Sequence, residues 1–193
     1  MDLTPQAHLE LLQCISGRLP NDCSDSTVRF RRLVNDILFE SGATVSGLID
    51  SYVDTLHKWF HLIDVKQLRE DTQSAPEKYK RPAVLVLLLV IMLITTQTCG
   101  HVHHLRHRKL YKALKVVVTT LQSQTEPDLC LIQAQTLISL YECGHGMTHQ
   151  AHLTLSSAIT LATLVATNTS SIDSPLHWQT ALMMLDRRVI CIP

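Results

Sequence analysis

This chain has no excess of either charge: seventeen Lys and Arg balance seventeen Asp and Glu, with eleven His neutral at pH 7. Without a dominant basic block it lacks the electrostatic footprint of a stand-alone nucleic-acid binder. It also lacks close cysteine pairs. Its six Cys stand at positions 14, 23, 99, 130, 143 and 191, so no CxxC-type zinc framework is present. Long apolar runs are missing too. The run from Ala83 to Ile94 is wholly apolar, but it covers only about a dozen residues, where a membrane-spanning helix needs roughly 20. A helix apolar on every side yet too short to span is expected to be buried at the centre of a core, so no membrane association is expected. The stretch from Met1 to Glu10 has neither a basic n-region nor an apolar h-region, which points to reduced thiols in the cytosol or nucleus and leaves the Asn168-Thr169-Ser170 sequon without meaning. No GxSxG, P-loop or GxGxxG motif is present, so the common nucleophile and nucleotide-binding signatures are absent. Period-two alternation is scarce, which argues against a strand-rich fold.

What the chain does have is helical period. Hydrophobic residues make up 46% of 193 residues, enough for one domain with a sizeable core. The spacing predicts an all-α, single-domain, irregular multi-helix bundle of about seven to eight helices. A first helix is capped by Thr4, with Pro5 at its first position, and ends at Gly17 and Pro20. A second covers Thr27 to Glu40, capped by Asp25 or Ser26, and stops near Gly42. A third, capped by Ser46, presents Leu48, Ile49, Tyr52, Val53, Leu56, Trp59 and Phe60. Glu70 to Lys80 reads as a polar loop. The apolar helix starts at Pro82 and ends near Gly100. Three segments then repeat the template i, i+4, i+7, i+8, i+11: Leu110, Leu114, Val117, Val118 and Leu121; Cys130, Ala134, Leu137, Ile138 and Tyr141; Ala151, Leu155, Ala158, Ile159 and Ala162. The second of these begins behind Thr125 and Pro127-Asp128, a capping arrangement. The last two are joined by so short a corner that they form an αα-hairpin. A final helix carries Trp178, Ala181, Leu182, Leu185 and Val189. Trp59-Phe60 and Trp178 are expected to be core anchors, and Met183-Met184 core filler.

Three clusters carry potential chemistry. His103 and His107 share a helical face and His104 lies near His107, a possible metal half-site; the plainer reading is a solvated polar segment. Arg106, Arg108, Lys109, Lys112 and Lys115 in the same stretch suggest nuclear import or contact with an anionic surface. Glu142-x-x-His145, with His149 and His152 nearby, has the spacing of half a di-iron site, and Asp54-x-x-His57 could mimic the other half. Against this, Gly144 and Gly146 break the helix between the ligands. The plainer reading is a helix C-terminus closed by Gly144, with His145 donating to terminal carbonyls. Cys143 beside His145 could be drawn as nucleophile and base, but no orienting Asn or Asp is evident. No catalytic, cofactor-binding or metal residue is therefore assigned, and no cofactor is expected.

Several segments, in order, carry a likeness. They are the corner Tyr141-Glu142-Cys143-Gly144-His145-Gly146, the stretch Leu48 to Asp64 with Tyr52, His57 and Trp59, the leucine-rich run Ala83 to Thr95, Leu110-Tyr111 with Lys115, Leu131 to Glu142, and Trp178 with Leu185-Asp186-Arg187. Over about Ala43 to Arg187 this order resembles the middle homology region of fungal zinc-cluster transcription factors. His61 departs from the family's usual Pro, and Thr160 to Val165 lacks its usual Arg. The six-cysteine cluster is missing, and the likeness covers the front of the region, so a truncated regulator is one expectation. The resemblance implies a nuclear, non-enzymatic regulator of a gene cluster, often one for secondary metabolism. Residues 43–193 would be the regulatory region and 1–42 an N-terminal helical extension. It would act through a protein partner, self-association or a small apolar ligand, without its own sequence-specific DNA binding. The alternatives are a small His-rich metal-dependent all-α enzyme and a non-functional fragment.

Overall fold

A computed structural model describes residues 23–73, 81–96, 101–124 and 128–168, with the backbone alone described at 23–29, 101–106, 124 and 166–168. Within them the chain is all-α. Seven α-helices follow one another: α1 (Cys23–Glu40), α2 (Val45–Tyr52), α3 (Val65–Gln73), α4 (Pro82–Thr95), α5 (His101–Gln124), α6 (Leu129–Gly144) and α7 (Thr148–Asn168). A π-helical turn, Val53–His57, prolongs α2. The expected helices around Thr4 and Trp178 lie outside the described residues.

The fold is organised around α4. Every side chain from Ala83 to Leu93 is buried, as the apolar run predicts. Pro82 opens the helix, where its missing N–H costs nothing. α1, α2, α5 and α6 all pack against α4, and α7 covers α6 from the other side. Phe30, Val34, Ile37 and Leu38 of α1 join the same core as α4 and α6. No helix among the described residues is long and apolar enough to cross a membrane.

Several boundaries differ from the sequence reading. α1 begins at Cys23, so Asp25 and Ser26 lie inside the helix rather than capping it. α2 is capped by Thr44, not Ser46: Thr44 is extended, and its side chain accepts from the Gly47 N–H at 3.1 Å. The segment read as a loop from Glu70 is helical as far as Gln73. Asp64 nucleates that helix by accepting from the Lys66 and Gln67 N–H groups. α3 escaped notice because only Leu68 and Thr72 of it are buried, too few for a visible stripe. α4 ends at Thr95, before the expected Gly100.

The αα-hairpin of α6 and α7 forms as expected, and these helices share the most extensive interface in the fold. Asp128 caps α6 by accepting from the Cys130 N–H at 2.8 Å. The corner is closed by Gly146, at φ +71, rather than by Gly144. The Met147 N–H reaches the Glu142 carbonyl and the Gly146 N–H the Cys143 carbonyl, the paired bonds of a Schellman motif. Gly42, at φ +70, ends α1 in the same way. The α5 stripe from Leu110 to Leu121 is buried as read, and so are Ala151, Leu155, Ala158 and Ala162 of α7. The α6 stripe is not the boundary expected. Cys130 and Tyr141 are half-buried, while Gln133, Gln135, Thr136, Ser139 and Glu142 are buried. α6 is enclosed by α4, α5 and α7, so its polar residues face protein on every side.

Candidate functional site

The corner ending α6 has two chemically opposite sides, because successive helical residues point about 100° apart. Tyr141 and His145, one turn apart, look outward. Glu142 looks inward.

The inward side is a buried charged node. Glu142 is fully buried. Its carboxylate accepts from Tyr111 Oη at 2.6 Å and from Thr154 Oγ1 at 2.7 Å, and it pairs with Lys115 Nζ at 3.1 Å. Lys115 Nζ also donates to Thr154 Oγ1 at 2.5 Å. One carboxylate thus ties α5 and α7 to α6, and the bonds satisfy a charge that would otherwise be prohibitive to bury. Burial, and then the hydrogen bond to Glu142, push the Tyr111 phenol well above its ordinary range, which keeps it a donor. Tyr111 and Lys115 belong to the segment that carried the family likeness, but their meeting with Glu142 was not anticipated. The available signal was their spacing: i and i+4 on one helix face, with no acid on that helix to pair with.

The outward side lines an open groove of about 460 Å³. Leu56 and Trp59 form one wall, and Ile94 of α4 contributes to the lining. Leu140, Tyr141, Cys143, Gly144 and His145 complete it from α6. The lining is mostly apolar, although Trp59 is 54% exposed. The expectation that Trp59 anchors the core is therefore wrong for Trp59 and right for its neighbour Phe60, which is buried. The helical period extrapolated past His57 does not survive the end of the π-helical turn, so Trp59 swings outward. Tyr141 stacks between Tyr111, at 5.4 Å, and His145, at 4.0 Å between ring centroids. His145 Nδ1 donates to the Tyr141 carbonyl at 2.8 Å, the terminal-carbonyl contact expected of it.

The alternative chemistries do not assemble. Glu142 is fully buried and held by Tyr111, Lys115 and Thr154, whereas His145 is exposed beyond the end of α6 and bonds the Tyr141 carbonyl. Asp54 pairs with Lys58 on the surface, and His57 contacts Tyr52 and His61. His149 and His152 are exposed on α7. Among the described residues no group of three His, Cys, Asp or Glu could hold a metal ion. The side chains of His103 and His104 lie outside the described residues. Cys143 lines the groove, but burial and the neighbouring Glu142 push its thiol up, away from the reactive thiolate. With His145 committed to a carbonyl, the pair is not a nucleophile and its base.

A family model described as the fungal specific transcription factor domain matches residues 49–184. Neither a curated protein nor a solved structure matches the chain. The family match spans more than half of the chain and contains the Trp59 groove, the Tyr141–Gly146 corner and the Glu142 node; the chain belongs to the fungal specific transcription factor domain family, as a regulator of that type.

Proposed function

We propose that this chain is the regulatory region of a nuclear regulator of a fungal gene cluster, for instance one for secondary metabolism. It works by occupancy of the Trp59 groove rather than by catalysis or by reading DNA itself. The observation that carries the reading is an exposed tryptophan in an apolar groove of about 460 Å³, within the size range of small-molecule sites. A large aromatic held half in water is a residue whose burial on binding gains much at little entropic cost. The occupant is a small apolar ligand or an apolar side chain of a protein partner. The groove floor is the end of α6, and that end is tied to α5 and α7 through Glu142. Occupancy would then bias how those helices sit.

Two measurements test this. The naphthalene dye ANS should bind the purified protein and quench Trp59, read in a Trp178→Phe background. Trp59→Ala and Leu140→Asp should abolish that binding with helical content unchanged. The chain tethered to a heterologous DNA-binding domain in a fungal host should change reporter transcription, and the groove variants should alter the output at equal protein level. A reporter indifferent to both groove variants would refute the reading.

A further inference from the structure

α5 carries a second surface, separate from the groove. From His101 to Gln124 this helix has five Lys or Arg and no Asp or Glu. Thr148 to Asn168 of α7 has no acid either. The chain is neutral as a whole, so this side is positive only because the acids are elsewhere. Arg108, Lys112, Lys115 and Thr119 recur at i, i+4, i+7 and i+11 and share one stripe. Lys115 reaches Thr154 of α7, and Gln122 Nε2 donates to Ser157 Oγ at 3.1 Å, so the stripe runs alongside α7. Lys115 is spent on Glu142. Arg108, Lys109 and Lys112 are exposed, and no ion pair among the described residues engages them. Apolar side chains are also exposed on these two helices. Val116 is 46% exposed, and Leu153, beside Thr154 and one turn before Ser157, is 56% exposed.

We propose that the seam between α5 and α7 docks an acidic amphipathic peptide segment. Its carboxylates pair with Arg108, Lys109 and Lys112, and its apolar side chains cover Val116 and Leu153. Both halves of the surface are matched by such a helix, with anchors at i, i+3 and i+4 set among acids. A nucleic acid would match only the cations: phosphate contacts gain nothing from Val116 or Leu153, and the exposed residues of α5 and α7 include no Phe, Tyr or Trp.

The probe is a short fluorescein-labelled peptide with alternating Glu and Leu at helical spacing, measured by anisotropy against the full chain. A Gln-for-Glu version and a random-sequence DNA duplex are the comparators. The acidic peptide should bind, and the Gln version should bind at least about tenfold more weakly. The double variant R108E and K112E should weaken binding by about tenfold or more, with unchanged helical content and melting temperature. Leu153→Ser should weaken the peptide several-fold. All three positions are exposed, so folding is not at stake. No peptide binding, duplex binding tighter than peptide binding, or a Leu153→Ser variant with undiminished peptide affinity would each overturn the proposal.

Discussion

α4 from Ala83 to Leu93 and α6 from Leu131 to Ser139 are both enclosed on all sides, yet by opposite means. From Ala83 to Leu93, α4 is buried through aliphatic residues alone. α6 is buried together with two glutamines, a threonine, a serine and a glutamate. An aliphatic helix needs only to leave water, and its burial is indifferent to which neighbour covers it. A polar helix is buried at least cost where its groups find partners, and those partners that lie on other elements specify the neighbours. Gln133 Nε2 donates to the Leu62 carbonyl and Glu142 gathers three side chains from α5 and α7, whereas Thr136 and Ser139 bond back to their own helix and the buried Gln135 Oε1 has no hydrogen-bond partner among the described residues. α4 accordingly contributes to the core through apolar burial alone, and α6 also through bonds to particular neighbours. The corner proposed as the functional site grows from α6, whose buried polar side chains reach other elements, not from the wholly apolar α4.

The sharpest way to break this contrast lies in α4. Leu88→Asp leaves a carboxylate with no partner among aliphatic side chains, at a cost of several kcal/mol, comparable to the stability of a whole domain. The variant should be unfolded by circular dichroism; a soluble form with unchanged melting temperature would contradict the central role of α4.

In α6 the expected effect is smaller and depends on partners. Lys115→Met strands the Glu142 carboxylate and should cost about 2 kcal/mol, less than the roughly 3–5 kcal/mol of a fully buried pair because Lys115 keeps 35% of its side-chain exposure. The double variant Lys115→Met with Glu142→Leu should recover much of that loss in urea unfolding. Additive losses would mean that the node does not act as a unit.

Alkaline titration probes a third level. The Tyr52 phenol is pushed from 10.0 up to about 12 by burial, against the opposing effect of backbone hydrogen bonds from Ile63 and Leu62. The folded state favours the neutral phenol, so its stabilising contribution is complete below pH 10 and is lost as pH rises from 10 towards 12. Melting temperature should fall across that window, and Tyr52→Phe should make the fall shallower.

The smallest effect is expected at the groove. Trp59→Ala should shift stability by less than about 0.5 kcal/mol, because the indole is half in water already. The same substitution should remove ANS binding. Stability and function then separate along the two sides of one corner.

The helical class, the central burial of α4, the α5 and α7 stripes and the α6–α7 hairpin were legible in the residues. Each rests on local periodicity or on an apolar run, and apolar burial needs no particular partner. The family likeness was legible in the order of its segments. The Thr44 cap, α3 and the left-handed Gly146 were missed, because each turns on one backbone conformation or on too few buried side chains to make a pattern. The Glu142 node and the exposure of Trp59 were decided by tertiary structure alone. Nothing in Tyr111, Lys115 or Thr154 names Glu142 as their common partner; three helices must meet before one carboxylate can be satisfied. Likewise Trp59 has the composition of a core residue, and only the end of the π-helical turn after Tyr52 determines that it faces water beside α6 instead.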